Sequence, residues 1–333
     1  MSSPSRIALV TGGAGFIGSH MVDLLLEEGL EVRVIDNLTG GRLDNLAHHR
    51  GNTRLKVELE DIRNLAAEST VMRDVQLVFH FAGIGDIVPS IEKPLEYMEV
   101  NVQGTVRVAE AARHARVRKL VYAASSSCYG ASPATPTPES APIDTRYPYA
   151  LSKYQGEQVV LHWHRVYGLP VNSIRIFNAY GIRSRTSGAY GAVFGVFLAQ
   201  KLAGKPFTVV GDGTQTRDFL YASDVARAFW LAGITDRVGQ IYNLGAGRPQ
   251  SVNRLVELLG GPVVHVPKRP GEPDCTWADI TKIQQELRWA PQVDFAEGVG
   301  RMIQVIDYWK QAPVWDTASI EKATRTWFAY MKE

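Results

Sequence analysis

Residues 146–157, RYPYALSKYQGE, set Tyr149 and Lys153 four positions apart, directly behind Pro148. Proline is tolerated in the first turn of a helix, and residues four apart share one helix face. The pattern predicts a helix that presents a phenol and an ammonium to the same side. That pair suits proton transfer, because a nearby cation stabilises a phenolate whose ordinary pKa is about 10. Ordinary exposed helices also carry Tyr–Lys pairs at this spacing, so the context has to decide.

A second pattern, VTGGAGFIGSH (10–20), follows a strand-like run and opens a helix-like one. Gly12, Gly15 and Gly18 suit a tight turn, a close backbone approach to a pyrophosphate, and packing of helix on strand. The helix N-terminus, at Phe16 and Ile17, adds N–H donors and a positive dipole end. Gly13, Gly15 and Gly18 also fit G-x-G-x-x-G, so spacing alone does not say which glycine does what. Asp36 ends the next strand-like run in VIDN, followed by Asn37. A carboxylate there can accept from both ribose hydroxyls of NAD and repels the 2′-phosphate of NADP, and no arginine adjoins it. The expected cofactor is NAD. Ser125, Ser126 and Ser127 close a further strand-like run.

Strands are expected at 6–10, 31–36, 55–60, 77–82, 119–125 and 172–177, with helices at 15–29, 99–116 and 149–167 between them. Near-continuous apolar strands alternating with amphipathic helices imply a parallel sheet covered on both faces, a doubly wound Rossmann-type α/β fold. After Asn178 the pattern changes. A Gly-rich segment (181–195), a turn at 209–219, a helix from about 223 and a strand at 240–247 precede short elements around PKRPGEPD (267–274). The expected organisation is a dinucleotide-binding domain over 1–178, with a returning strand near 239–246. A smaller mixed α/β substrate lobe follows over 179–312, and then a helical, aromatic tail (313–333) without an assigned role.

The chain has 333 residues, 45% hydrophobic and 21% charged, with a net charge of +2. That balance offers no field for nucleic acid or acidic lipid. Two cysteines, Cys128 and Cys275, are too few for a disulfide framework, which fits a reducing, cytoplasmic setting. No apolar run reaches about 18 residues, so no membrane span is expected, and the N-terminus lacks the apolar core of a signal peptide. No metal site is expected.

Taken in order, the glycine turn, Asp36, ED-I (60–62), HFAG (80–83), NVQGT (101–105), SSS (125–127), YxxxK, RIFNAYG (175–181), GDGTQTRDFLYASDVA (211–226) and RPGEPDCTWADITK (269–282) resemble the extended short-chain dehydrogenase/reductase family. Its nucleotide-sugar epimerases fit best, over roughly residues 6–310. The resemblance implies that Asp61 and Ile62 flank the adenine, and that Phe81, Ala82, Gly83 and Phe177 line the cofactor bed. Asn101 would support the geometry. Tyr149 would be the acid/base and Lys153 its helper, also holding the nicotinamide ribose. Lys153 and the positive nicotinamide ring together would lower the phenol's pKa. Ser125 would bond the reacting hydroxyl with Ser126 beside it. Asn178, Arg217 and Arg269 would face a diphosphate, Glu272 the ribose of the base, and Thr276 the hexose. Asp218 and Asp224 are expected to cap turns, and Arg183, Arg185 and Tyr190 to lie near the substrate without assigned roles.

Departures from relatives narrow the reaction. The family's 4,6-dehydratases carry Asp-Glu after the catalytic hydroxyl and its decarboxylases a Glu, where this chain has Ser126 and Ser127. A 4-epimerisation through a transient 4-keto sugar is expected, on UDP-Glc/Gal, UDP-GlcNAc/GalNAc or UDP-GlcA/GalA. Threonine at 276 leaves room for an N-acetyl group. The lysine that some galactose epimerases carry after HFAG is absent, since Ile84 and Gly85 stand there. A 2-epimerase, reductase or dehydratase on the same machinery is the alternative, and a non-catalytic dinucleotide sensor the remote one. In relatives, helices matching 99–116 and 149–167 pair between subunits, so a homodimer is expected.

Overall fold

The computed structural model describes residues 6–131, 134–184 and 193–331. Its first half alternates β1 (Ile7–Thr11), α1 (Phe16–Glu27), β2 (Glu31–Asp36), β3 (Leu55–Leu59), β4 (Val75–His80), α2 (Ile87–Glu92), α3 (Pro94–Met98), α4 (Gly104–His114), β5 (Lys119–Ser125), α5 (Pro148–Tyr167) and β6 (Val171–Ile176). Every residue of β1 and β6 is buried, as a sheet covered on both faces requires. The helix expected from 99 begins instead as a wide π-turn over Glu99–Gln103 and only then continues as α4. α5 starts at Pro148 and is stopped by Gly168, which takes the left-handed φ of 71° that only glycine adopts without strain.

The second half adds β7 (Asn178–Tyr180), α6 (Val193–Leu202), β8 (Phe207–Val210), β9 (Thr216–Arg217), β10 (Phe219–Tyr221), α7 (Ala222–Ile234), β11 (Gln240–Leu244), β12 (Gln250–Ser251), α8 (Val252–Leu259), β13 (Val263–Val266), α9 (Thr281–Leu287), α10 (Phe295–Gln304) and α11 (Thr317–Tyr330). The main sheet runs β11–β6–β5–β4–β1–β2–β3. All its neighbours pair in parallel. The chain winds outward from β1 in one direction and then returns beside it through β4 to wind in the other. Such a reversal leaves a crevice at the carboxyl ends of the strands. The other strands form the pairs β7–β10, β8–β13 and β9–β12.

One face of the sheet buries Ala8, Val10, Val32 and Val34 against α1 and α7, together with Ile283, Leu287 and Trp289. The other buries Leu9, Val78 and Tyr122 against Val108 of α4 and Val160 of α5. A third, aromatic core joins Tyr180, Phe194, Phe207, Phe219, Phe295 and Trp309. The later half thus returns to the main sheet with α7 and α9 as well as the expected strand. A helix's apolar stripe shows that one face is covered, but not by which layer. Among the described residues no helix is long and apolar enough to cross a membrane.

Candidate active site

The carboxyl ends of the central strands open onto a cleft of about 960 Å³. Gly12, Gly15, Phe16, Ile17, Gly18, Asp36, Asn37, Asp61, Ile62, Phe81, Ala82 and Gly83 line it. So do Ser125, Tyr149, Lys153, Phe177, Asn178, Arg217, Arg269 and Glu272. Asn101, Ser126 and Thr276 stand outside its lining.

The structure separates the roles of the glycines. Gly12 has a φ of 70°, and a Cβ there would lie 2.7 Å from the Ala82 nitrogen. A Cβ on Gly13 would meet the Val34 side chain at 2.7 Å, so Gly13 packs against β2. Gly18 presses its backbone on Gly12. Gly15 precedes the first helical residue and is the least enclosed, a Cβ meeting only the Gly12 carbonyl oxygen at 3.0 Å. It is therefore the position at which an anion could approach the backbone. Asp36, buried at the end of β2, accepts from the Ala14 N–H at 3.0 Å and the Leu38 N–H at 2.8 Å. Burial pushes its carboxyl above the usual range. Asn37 donates to Asp61 at 2.9 Å, and the Arg63 side chain holds the Asp61 carboxyl down at about 2. This cradle fits a dinucleotide with free ribose hydroxyls.

At the centre, the Tyr149 hydroxyl donates to Ser125 Oγ at 3.4 Å, and Ser127 Oγ donates to the same atom at 2.8 Å. Lys153 Nζ sits 4.6 Å from the centroid of the buried Tyr122 ring. Burial pulls Lys153 down to about 8, against the opposing effect of Glu157. Burial likewise pushes the Tyr149 phenol up, with the Ser125 hydrogen bond working against it. The lowering expected from the neighbouring ammonium is not seen: the Ser125 hydrogen bond is the effect that opposes burial. A positive charge brought by a cofactor is the remaining means of offsetting that burial.

Asn101 binds this centre together. Its side chain pairs with the Ile84 backbone, accepting at 2.8 Å and donating at 3.0 Å, and also donates to Ser152 Oγ on α5 at 2.9 Å. A Cβ on Gly83 would lie 2.9 Å from Asn101 Oδ1. One turn beyond Lys153, Glu157 forms a buried ion pair with Arg175 of β6 at 2.6 Å. Arg175 donates onward to Tyr129 at 2.7 Å.

From the second half, Glu272 receives Arg217 at 2.9 Å and Arg269 at 3.0 Å, so one carboxylate holds two guanidinium groups at the cleft. Thr276 donates to Asn178 Oδ1 at 2.6 Å and stands behind it. Asp218 accepts from the N–H groups of Ala246, Gly247 and Ala278, and Asp224 from those of Gln292 and Val293; both fasten loops. Arg183 turns away from the cleft to Asp23 at 2.5 Å and His20 at 2.7 Å. Arg183, expected near the substrate, has a φ of 64° and does not line the cleft. Arg185 and Tyr190 lie outside the described residues. Asp23, His48 and His49 form a group able to hold a metal ion, but none of the three lines the cleft.

Three residues around Tyr149 carry no signature in the sequence. Tyr97 donates to the Asp86 carbonyl at 3.0 Å and meets Tyr149 edge-on at 6.3 Å. Tyr147 stacks on Tyr149 with ring planes 9° apart. Asp86 lines the cleft with a φ of 76°, a conformation uncommon outside glycine and strained.

By its sheet order and the position of this cleft, the molecule is a doubly wound α/β protein of the dinucleotide-binding class. The chain belongs to the NAD dependent epimerase/dehydratase family, whose family model matches residues 8–245. It is 36% identical over 303 residues to a putative UDP-glucose 4-epimerase of Methanocaldococcus jannaschii, covering 89% of this chain and 96% of that one. A UDP-N-acetylglucosamine 4-epimerase from Methanobrevibacter ruminantium, solved with UDP-N-acetylmuramic acid, superposes with a TM-score of 0.85 at 30% identity, covering 91% of this chain and all of that one. A UDP-glucuronic acid 4-epimerase from Bacillus cereus, solved with UDP-glucuronic acid and NAD, gives 0.84 at 30% identity and covers 91% and 99%.

Proposed function

We propose that this protein is an NAD-dependent nucleotide-sugar 4-epimerase acting on a UDP-hexose. The observation that carries the reading is the meeting of Tyr149 and Ser125 in the cleft that also takes in Lys153, the glycine turn and the Arg217–Glu272–Arg269 cluster. NAD, when bound, supplies the hydride acceptor and the hydride donor. Tyr149 takes the C4 hydroxyl proton, directly or through Ser125, and later returns one to the same oxygen. Lys153 opposes the charge of the ionised phenol. Arg217 and Arg269 grip the diphosphate through their planar donor forks, which leaves the hexose free to turn over about that linkage. Ser126 and Ser127 offer no carboxylic acid for elimination.

The three similar proteins named above carry glucose, N-acetylglucosamine and glucuronic acid in their names. The deciding experiment incubates the purified protein with UDP-, TDP-, CDP- and GDP-sugars and reads the products by NMR. Inversion at C4 without accumulation of NADH is the expected outcome. Stoichiometric NADH together with a keto sugar would replace the reading with a net oxidation of the sugar by the same machinery.

The reading includes a homodimer formed through α4 and α5, supported by Val166 and Tyr167, which leave 55% and 51% of their surface bare on α5. Light scattering that finds a monomer at micromolar concentration removes that part. It also includes the reducing cytoplasm, supported by the free Cys128 and Cys275. Recovery of the protein outside that compartment in cell fractionation would contradict it.

A further inference from the structure

The tail helix α11 crosses from the second half to α2 of the first. Trp327 is buried there among Val88, Ile87, Ile91, Tyr147 and Met331. Its Nε1–H donates to the Pro270 carbonyl at 2.7 Å. The Arg269 guanidinium lies over its ring, 5.4 Å from the centroid. One residue earlier, Thr326 donates to Glu92 at the end of α2, at 2.8 Å. A single indole thus touches the backbone beside Arg269 and the guanidinium itself, in a cluster against which Tyr147, stacked on Tyr149, also packs.

Arg269 sits in the segment PKRPGEPD, rich in Pro and Gly and without regular structure. The Glu272 carboxylate holds the guanidinium from one side at 3.0 Å. A flat aromatic face on another side removes rotamers that an arginine would otherwise sample, and it attracts the charge. The tail also docks on the helix that begins one residue after Asp86 at the cleft edge.

We propose that Trp327 is a positioning residue: it fixes Arg269, and through the shared Glu272 also Arg217, in the geometry that receives the nucleoside diphosphate. This inference rests on the reading of Arg269 as a diphosphate ligand. The test measures UDP and NAD affinity by calorimetry for the full chain and for Arg269→Gln, Trp327→Leu, Trp327→Phe and the double variant Arg269→Gln/Trp327→Leu. Trp327→Leu is expected to weaken UDP binding by about tenfold, with NAD affinity unchanged. Trp327→Phe keeps a ring but loses the N–H, and is expected to fall between. The double variant is expected to lose no more than Arg269→Gln alone, the mark of two residues acting on one contact.

If Arg269→Gln weakens UDP binding while Trp327→Leu does not, the proposal is overturned and the diphosphate reading stands. Unchanged UDP affinity in Arg269→Gln and Trp327→Leu alike ends the diphosphate reading, and the proposal with it. Equal loss of UDP and NAD affinity in Trp327→Leu reduces the tryptophan to a general structural role, which also overturns it.

Discussion

A phenol sealed into protein loses its hydration, and at Tyr149 that loss outweighs the hydrogen bond to Ser125. The tyrosine of the chain alone is therefore expected to titrate above its ordinary range. Binding of a cofactor that brings positive charge is expected to draw the titration down. Tyrosinate absorbance of the wild type minus that of Tyr149→Phe, with and without NAD, measures both. A cofactor-independent difference would contradict the account. Tyr149→Phe is expected to lower turnover by about 10²–10⁴-fold while NAD affinity persists. Lys153 depends on its buried surroundings as much as on its spacing, with its neighbour Glu157 balanced by Arg175. Replacing Glu157 with Gln strands Arg175 in the interior, a class of change that costs about 3–5 kcal/mol. Denaturant unfolding reads that loss directly.

The glycine turn shows how one element divides its labour. Gly12→Ala is expected to disrupt the turn itself, because a positive φ and the Ala82 backbone both oppose a side chain. Gly15→Ala is expected to leave the melting temperature within a few degrees while NAD affinity drops, since its Cβ would occupy the approach to the helix N-terminus. Thermal melts paired with NAD titration separate the two. Much of this architecture was readable in the sequence. Short β-branched runs placed β2 at its observed bounds and β1 within a residue, and Pro148 marked the start of α5. Twenty of the predicted site residues line one cleft because strand ends and the loops after them converge at the reversal of strand order. Other features escaped for definite reasons. The choice between Gly13 and Gly12 needed the position of Val34, and the stacking of Tyr147 on Tyr149 needed the curve of the chain into α5. Which surface α11 covers depends on Trp327 meeting α2, a contact between segments far apart in sequence.

At the scale of the molecule, two histidines make the fold sensitive to acid. Burial lowers His80 to about 3, between Thr11 and Thr105, and His20 to about 4. As pH falls below about 6.5, these histidines take up protons in the unfolded chain while the folded chain keeps them neutral. Their contribution is thus fully present above that pH and is lost as it drops toward 4 and then 3, by up to about 1.4 kcal/mol per pH unit for each group. Unfolding curves between about pH 7 and pH 4 check the slope, and His80→Gln is expected to flatten it. The return of α7, β11 and α9 to the first sheet also bears on how the chain is made. During vectorial synthesis the strands emerging early have their α1 side only partly roofed until Trp289 has left the ribosome. The nascent chain consequently spends most of its elongation with sticky valines in view, and a fragment released near residue 178 is expected to clump and to recruit chaperones.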